Sequence, residues 1–166
     1  MEFRGNLQTR LRKLSEGVAQ ATFLAMAGLN RLNMTEVPRQ PIDPEDMLPA
    51  VAQGAIGIER RLNDHETAGL LEAIHDGPTG QRLVAERSFL AALDGSCQTP
   101  IGGLATLDGG TLMLRGEILR IDGSEVLADA GDAPIEDGAA LGQHIDRKST
   151  RLNSSHSTLS RMPSSA

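Results

Sequence analysis

One cysteine and a set of arginines are the side chains of this sequence best suited to chemistry. Cys97 is the only cysteine among 166 residues, and it stands between a helical pattern that ends at Leu93 and an apolar run that begins at Ile101. Residues 94–96 break the helix, and Pro100 prevents the backbone from re-entering one. We therefore predict that Cys97 lies on a short loop where a small ligand reaches the thiol. The alternative is a buried cysteine that acts as a small apolar side chain.

Three arginines occupy positions suited to binding an anion. Arg87 lies three or four residues from the apolar positions Leu83, Val84, Leu90 and Ala91, which predicts that it shares their buried face. A guanidinium there needs a partner, either an internal acid or a bound carboxylate. Arg4 precedes the first predicted helix, and Arg10 lies among that helix's leucines. A helix N-terminus beside a guanidinium suits an anion, although an ordinary solvated arginine is the alternative for Arg4.

Composition and charge restrict the function classes. The length fits one modest domain or parts of two, and a single cysteine excludes an internal disulfide and favours a reducing compartment. A formal charge of −6 disfavours a nucleic-acid binder. We find no secretory signal and no apolar run long enough to cross a bilayer, so we expect a cytoplasmic protein with no membrane partner. The histidines show no ligand spacing, so no metal is expected.

Periodicity and turn residues predict the order of elements along the chain. The predicted helices span residues 7–17, 28–32, 64–74, 79–93 and 134–145, and the predicted strands span residues 21–26, 51–59, 101–107, 111–121 and 125–129. Asp-Gly turns between the last three strands indicate an antiparallel meander. This order predicts part of an α/β domain followed by a small α+β domain with a three-stranded antiparallel sheet.

Residues 146–166 have the composition of a disordered segment. They also resemble the translation of a sequencing adapter. We therefore expect the native chain to end near Ile145 and leave this non-native tail out of the fold.

The octet Gly-Ser-Cys-Gln-Thr-Pro-Ile-Gly at residues 95–102 closely resembles the loop whose cysteine carries a dipyrromethane through a thioether in hydroxymethylbilane synthase, a family also called porphobilinogen deaminase. Residues 4–14 resemble its segment of paired arginines, and residues 27–32 resemble the short helix that follows. Residues 48–59 resemble its crossover strand, and residues 85–87 resemble the helix before the cysteine. The motifs occur in the family's order.

The resemblance implies a function and a set of residue roles. Four porphobilinogens would join head to tail, with loss of ammonia, onto a dipyrromethane on Cys97, and hydrolysis would release hydroxymethylbilane for haem synthesis. Pyrrole acetates and propionates need planar, bidentate partners, which arginine supplies better than lysine. Cys97, Arg87, Arg4 and Arg10 would bind the cofactor, and Arg4, Arg10 and Arg31 the substrate. The full-length enzyme would act as a monomer.

The resemblance also implies four segments and a missing part. Residues 1–48 would be the C-terminal part of a type II periplasmic-binding-protein-like α/β domain, and residues 49–76 a crossover strand and helix that belong with an N-terminal domain. Residues 77–145 would be the cofactor-bearing α+β domain, and residues 146–166 the tail. The family's catalytic aspartate has no counterpart here, so we expect no catalytic residue in this chain and no activity of the chain alone. The alternatives are an organic-anion-binding α/β module without catalysis and a non-functional gene remnant.

Overall fold

A computed structural model of the protein describes residues 3–95 and 99–153, with side chains described as far as Ile145. The chain divides into two compact units, Met1–Asp43 and Pro44–Ala166. The first unit contains helices α1 (Leu7–Ser15) and α2 (Met26–Arg31). The second contains α3 (His65–Glu72), α4 (Gly77–Ala92), strands β1 (Ile101–Asp108), β2 (Thr111–Leu119) and β3 (Val126–Pro134), a 3-10 turn (Ile135–Asp137) and α5 (Gly138–Asn153). The predicted α+β class is confirmed.

Helix α1 begins and ends at residues that satisfy its terminal backbone groups. The Asn6 side-chain oxygen accepts a hydrogen bond from the Thr9 N–H at 2.9 Å, which stabilises the first turn. At the other end Gly17 has a φ of +74°. The N–H groups of Gly17 and of the next residue donate to the carbonyls of Leu14 and Lys13, a Schellman motif. The predicted helix end at Gly17 is confirmed.

Helices α3 and α4 each start at an aspartate. The Asp64 carboxylate accepts from the Thr67 N–H at 3.0 Å, and the Asp76 carboxylate accepts from the Thr79 N–H at 2.7 Å. Pro78 lies in the first turn of α4, where its missing N–H costs no helical bond. The predicted cap at Asp64 is confirmed, and the predicted helix before the cysteine is α4.

The three strands form one antiparallel sheet in the order β1-β2-β3. Asp108 pairs with Thr111 across a two-residue loop, and Leu119 pairs with Val126. The predicted meander is confirmed, although β2 ends at Leu119 rather than at residue 121 and β3 continues to Pro134 rather than ending at residue 129.

Helices α4 and α5 cover one face of the sheet and enclose the core of residues 77–145, which we call the C-terminal region. The core consists of these buried apolar side chains: Ala85, Phe89, Ile101, Ala105, Leu112, Leu114, Leu141 and Ile145. Phe89 lies over Gly116, where a β-carbon would overlap the ring. A β-carbon on Gly142 would lie 2.5 Å from the Ala85 carbonyl oxygen. These two glycines therefore allow α4 to approach both the sheet and α5.

Two predicted strands do not form. Residues 21–25 have no regular structure, and Phe23 is 69% exposed. A strand needs a neighbouring strand for its hydrogen bonds, and the described residues of the first unit contain none, so the α/β architecture predicted there is not seen in them. Residues 51–54 form a turn and residues 55–61 have no regular structure. Ala50, just before the predicted strand, pairs with Gly102 through a single antiparallel bridge.

Two predictions about helices are wrong. Helix α3 ends at Glu72, two residues before the predicted end, and its apolar residue Leu70 and the following Ile74 are exposed. Helix α5 continues to Asn153, so residues 146–153 are helical rather than disordered. Its buried residues Leu141 and Ile145 anchor the helix, and each further residue then adds a backbone bond without a new nucleation cost. Residues 154–166 lie outside the described part of the chain.

Candidate functional site

Cys97, with residues 96 and 98, lies outside the described residues, but both ends of its loop are described. On the first side, α4 ends at Ala92, and the Gly95 N–H donates to the Leu90 carbonyl at 3.0 Å. On the other side, Pro100 accepts from the Leu119 N–H at 2.9 Å, next to the start of β1. Both described ends of the loop are therefore hydrogen-bonded, one at the end of α4 and the other next to the start of β1.

Gly95 brings the two ends of this loop together. A β-carbon at Gly95 would lie 2.6 Å from Leu90 Cδ1 and 2.6 Å from Ile101 Cδ1. A side chain at this position would therefore displace the ends of the Leu90 and Ile101 side chains, which meet over Gly95.

Arg87 lies on a different face of α4 from the one predicted. It is exposed, and Val84 from the predicted apolar stripe is 53% exposed. The buried positions are Ala85, Glu86 and Phe89, because Phe89 fits over Gly116 and thereby sets the rotation of the helix. The prediction of a buried Arg87 is wrong. Its predicted role in cofactor binding stays a prediction, and its exposed position leaves the guanidinium accessible.

Glu86 is the buried charged residue of α4, and sequence reasoning missed its importance. It is 6% exposed, and its two carboxylate oxygens accept from the N–H groups of Ala52 at 2.8 Å and Ala105 at 2.9 Å. The spacing of Glu86, Phe89, Leu90 and Leu93 is i, i+3, i+4, i+7, which describes one helix face. A glutamate on this otherwise apolar face was the sequence signal that its carboxylate is buried.

Arg10 and Arg4 lie in one small hydrogen-bonded cluster of the first unit. The Arg10 guanidinium donates from Nε to the Gly5 carbonyl at 2.9 Å and from Nη1 to the Phe23 carbonyl at 3.2 Å. The Lys13 ammonium donates to the Arg4 carbonyl at 2.8 Å. Through these hydrogen bonds, side chains of α1 hold residues 4 and 5, which precede the helix, against it. Arg4 itself is exposed.

Arg31 is the last residue of α2 and is exposed. Helices α1 and α2 pack where Leu7 contacts Gly28, at which a β-carbon would lie 3.0 Å from Leu7 Cδ1. The first unit therefore contains three of the predicted site residues, Arg4, Arg10 and Arg31. Arg87 and the described ends of the cysteine loop belong to the second unit.

The aspartates at the helix starts remain ionised at neutral pH. The Thr67 N–H, followed by the Thr67 hydroxyl, lowers the pKa of Asp64 below its ordinary value. The Thr79 N–H and then its hydroxyl lower the pKa of Asp76, with smaller contributions from Arg82 and His75. Hydrogen bonds to an ionised carboxylate favour that form. These two groups are therefore caps and not proton carriers near neutral pH.

The described residues contain no cluster of three or more His, Cys, Asp or Glu side chains suited to a metal ion. Among the same residues, no helix has the length and apolar character that a membrane crossing requires.

The fold and the candidate residues define a class: an α+β protein with exposed arginines and one cysteine between a helix and an edge strand. A family model described as "Porphobilinogen deaminase, dipyromethane cofactor binding domain" matches residues 1–69. A second, described as "Porphobilinogen deaminase, C-terminal domain", matches residues 81–149. The chain belongs to the porphobilinogen deaminase family.

Named relatives agree with the family models. The chain is 64% identical over 145 residues to "Porphobilinogen deaminase" of Paracoccus denitrificans, which covers 87% of this chain and 46% of the relative. It is 51% identical over 144 residues to "Porphobilinogen deaminase, chloroplastic" of Pisum sativum, covering 85% and 39%. It is 48% identical over 139 residues to the Nitrobacter winogradskyi protein of the same name, covering 84% and 44%. The chain thus spans less than half the length of these relatives.

Proposed function

We propose that this chain is the cofactor-bearing part of an enzyme of tetrapyrrole biosynthesis. The enzyme joins four porphobilinogens head to tail with loss of ammonia and releases hydroxymethylbilane by hydrolysis. One observation carries the proposal: two family models match the chain in order, and Cys97 falls within the second, at residues 81–149. Two relatives carry the name porphobilinogen deaminase, which supports loss of ammonia from porphobilinogen.

The attachment reaction that we assign to Cys97 needs no oxidant or reductant. A carbon–sulfur bond forms to the aminomethyl carbon of a porphobilinogen as its carbon–nitrogen bond breaks, and the thiol proton leaves with the amine as ammonia. A second porphobilinogen would add through its own aminomethyl carbon: a carbon–carbon bond to the free α-carbon of the first pyrrole would form as the carbon–nitrogen bond breaks, and the displaced ring proton would leave with the amine as ammonia. When bound, the dipyrromethane supplies the primer to which substrate pyrroles are joined.

The described arginines fit a ligand that carries acetate and propionate groups. Arg87, Arg4 and Arg31 are exposed, so their guanidinium groups are accessible to carboxylates. Arg10 uses two of its five N–H donors on backbone carbonyls, and the other donors remain for a ligand. We assign Cys97, Arg87, Arg4 and Arg10 to the cofactor and Arg4, Arg10 and Arg31 to the substrate.

Three further parts of the proposal concern the whole protein. The first unit contributes to a type II periplasmic-binding-protein-like α/β domain. The enzyme acts as a monomer on porphobilinogen, without nucleic acid. It works in the cytoplasm, which the single cysteine favours, although the pea relative is named chloroplastic.

A chimaera tests the proposed function. Residues 1–145 would be joined to the N-terminal remainder of the Paracoccus relative, in a host that lacks its own porphobilinogen deaminase. We expect the chimaera to release ammonia and hydroxymethylbilane from porphobilinogen, and Cys97→Ser to abolish both. Ser96→Ala is the matched control, because it changes the same loop and keeps the thiol.

Three outcomes would contradict parts of this proposal. Activity of Cys97→Ser equal to that of the parent would exclude the thioether. Tight porphobilinogen binding without turnover would favour the anion-binding module, and an inactive chimaera that binds nothing would favour a gene remnant. The isolated chain is expected to form no bilane, and bilane formation by it would show that the catalytic group is present in these residues.

A further inference from the structure

The carboxylate of Glu86 connects three segments of the second unit. Its helix, α4, leads into the cysteine loop, and its oxygens accept from Ala105 in β1 and from Ala52 in the turn at residues 51–54. Burying a carboxylate is costly unless hydrogen bonds replace its water. Because Glu86 is 6% exposed, those two backbone N–H groups are what make its burial tolerable.

Glu86 takes the place of a neighbouring strand at the edge of β1. β2 pairs with one side of β1. On the other side, the Gly103 N–H donates to the Pro49 carbonyl at 2.9 Å, and the Ala105 N–H donates to Glu86. Two edge donors of β1, at Gly103 and Ala105, are therefore satisfied by the segment at residues 48–52 and by one side chain of α4.

The segment at residues 48–52 is closely fitted to β1. A β-carbon on Gly102 would lie 3.0 Å from Leu48 Cβ, and one on Gly103 would lie 2.9 Å from Val51 Cγ2. Ala52 has a φ of +60°, a left-handed conformation that is unfavourable for alanine. The bond from Ala52 to Glu86 compensates for this conformation, so loss of the carboxylate is expected to release the turn.

We propose that Glu86 is a positioning residue for the cysteine loop, the segment between α4 and β1 that contains Cys97. This role rests on the proposed function. Its carboxylate fixes α4, β1 and residues 48–52 in one arrangement. The cysteine loop starts from α4 and ends at β1, so this arrangement determines where the loop leaves and re-enters the domain. The segment at residues 48–52 is thereby coupled to the element that carries the primer.

The arrangement requires both the charge and the length of glutamate. In Glu86→Gln one oxygen still accepts, but the NH2 group faces a backbone donor. In Glu86→Asp the charge is kept, but the side chain is one methylene shorter and cannot reach both donors. A role that depends only on charge would be rescued by aspartate, whereas a positioning role would not.

Amide hydrogen exchange of the chain as it stands tests the geometry without any cofactor. In Glu86→Gln and Glu86→Asp, we expect exchange at Ala52 and Ala105 to rise roughly tenfold, since one charge-assisted hydrogen bond is lost. Amides of the central strand β2 should exchange as in the parent. Glu72→Gln, which changes an exposed glutamate of the same unit, is the control and should change neither.

The rate of thiol alkylation by iodoacetamide tests the effect of Glu86 on the cysteine loop. Cys97 is the only thiol, so the rate reports on the loop alone. We expect both Glu86 variants to alkylate about tenfold faster than the parent and Glu72→Gln to match the parent. If Glu86→Gln fails to fold, Glu86→Asp, which keeps the charge, carries the test by itself and should accelerate alkylation in the same direction.

Two results would overturn the proposal. One is unchanged exchange at Ala52 and Ala105 in both Glu86 variants. The other is faster exchange at these amides with an alkylation rate equal to the parent's, which would make Glu86 a structural residue without influence on the cysteine. Neither measurement uses porphobilinogen, so failure of the chimaera assay would count against the proposed function alone.

Discussion

The first unit and the C-terminal region use different means to order their backbones. The C-terminal region (residues 77–145) has a three-stranded sheet and eight buried apolar side chains in one cluster. In the described part of the first unit (residues 3–43), Leu29 is the buried apolar residue, while Val18, Phe23, Leu32 and Ile42 are exposed. The region that carries the cysteine therefore has its own core, whereas the region that carries most of the candidate arginines has little.

Cationic side chains supply much of the order in the first unit. Arg10 and Lys13 bind the carbonyls of Gly5, Phe23 and Arg4. Arg39 Nη1 donates to three carbonyls of the turn at residues 34–37. Arginine side chains of the first unit therefore stabilise the backbone with part of their five N–H donors.

Phe89 and Phe23 give the largest expected contrast between the regions. Phe89 is 1% exposed and Phe23 is 69% exposed. We expect Phe89→Ala to lower the free energy of unfolding by about 3–5 kcal/mol through loss of burial and a cavity. Phe23→Ala should change it by no more than about 0.5 kcal/mol. Urea denaturation monitored by circular dichroism measures both, and equal losses would contradict the comparison.

Two glycines sharpen the comparison at the level of packing. A β-carbon at Gly116 would overlap the Phe89 ring, whereas Gly69 in α3 has open space around it. We expect Gly116→Ala to destabilise by about 1–3 kcal/mol through overpacking. Gly69→Ala should instead stabilise α3 by up to about 1 kcal/mol. The same denaturation experiment decides the signs, and a neutral Gly116→Ala would show that Phe89 can move aside.

The smallest expected effect concerns acid stability. Hydrogen bonds from Thr79 lower the pKa of Asp76 in the folded state, so its ionised form stabilises α4 above the unfolded pKa of about 4. This contribution is lost as the pH falls through the lowered pKa. Asp76→Asn keeps a capping oxygen without a titrating charge. Thermal unfolding from pH 7 to pH 2 should therefore show a variant that loses less stability on acidification, and parallel curves would contradict this.

The elements that the sequence predicted correctly are those with local signals. Asp64 and Gly17 mark helix ends through bonds within one turn, and the Asp-Gly loops mark the meander. The predicted strands at residues 21–26 and 51–59 had apolar composition but depended on partners elsewhere in the chain. Composition cannot show whether such a partner is present, and in the described residues neither strand forms.

The candidate site shows the same limit. The loop around Cys97 was placed between the correct two elements, but the burial of Arg87 was predicted from a stripe on the wrong side of α4. The rotation of α4 depends on Gly116 and Gly142, which are distant in sequence. The role of Glu86 depends on Ala52 and Ala105, which are also distant, so helix periodicity alone could indicate its face but not its partners.

Peptide mass mapping of the active chimaera tests the central claim most directly, namely that Cys97 carries the primer. Trypsin should yield residues 88–115 as one peptide, because this stretch contains no Lys or Arg before Arg115. We predict that Cys97 in this peptide carries the added mass of a dipyrromethane and that Cys97→Ser removes the addition. An active chimaera with an unmodified Cys97, or with the added mass on another residue, would contradict the account.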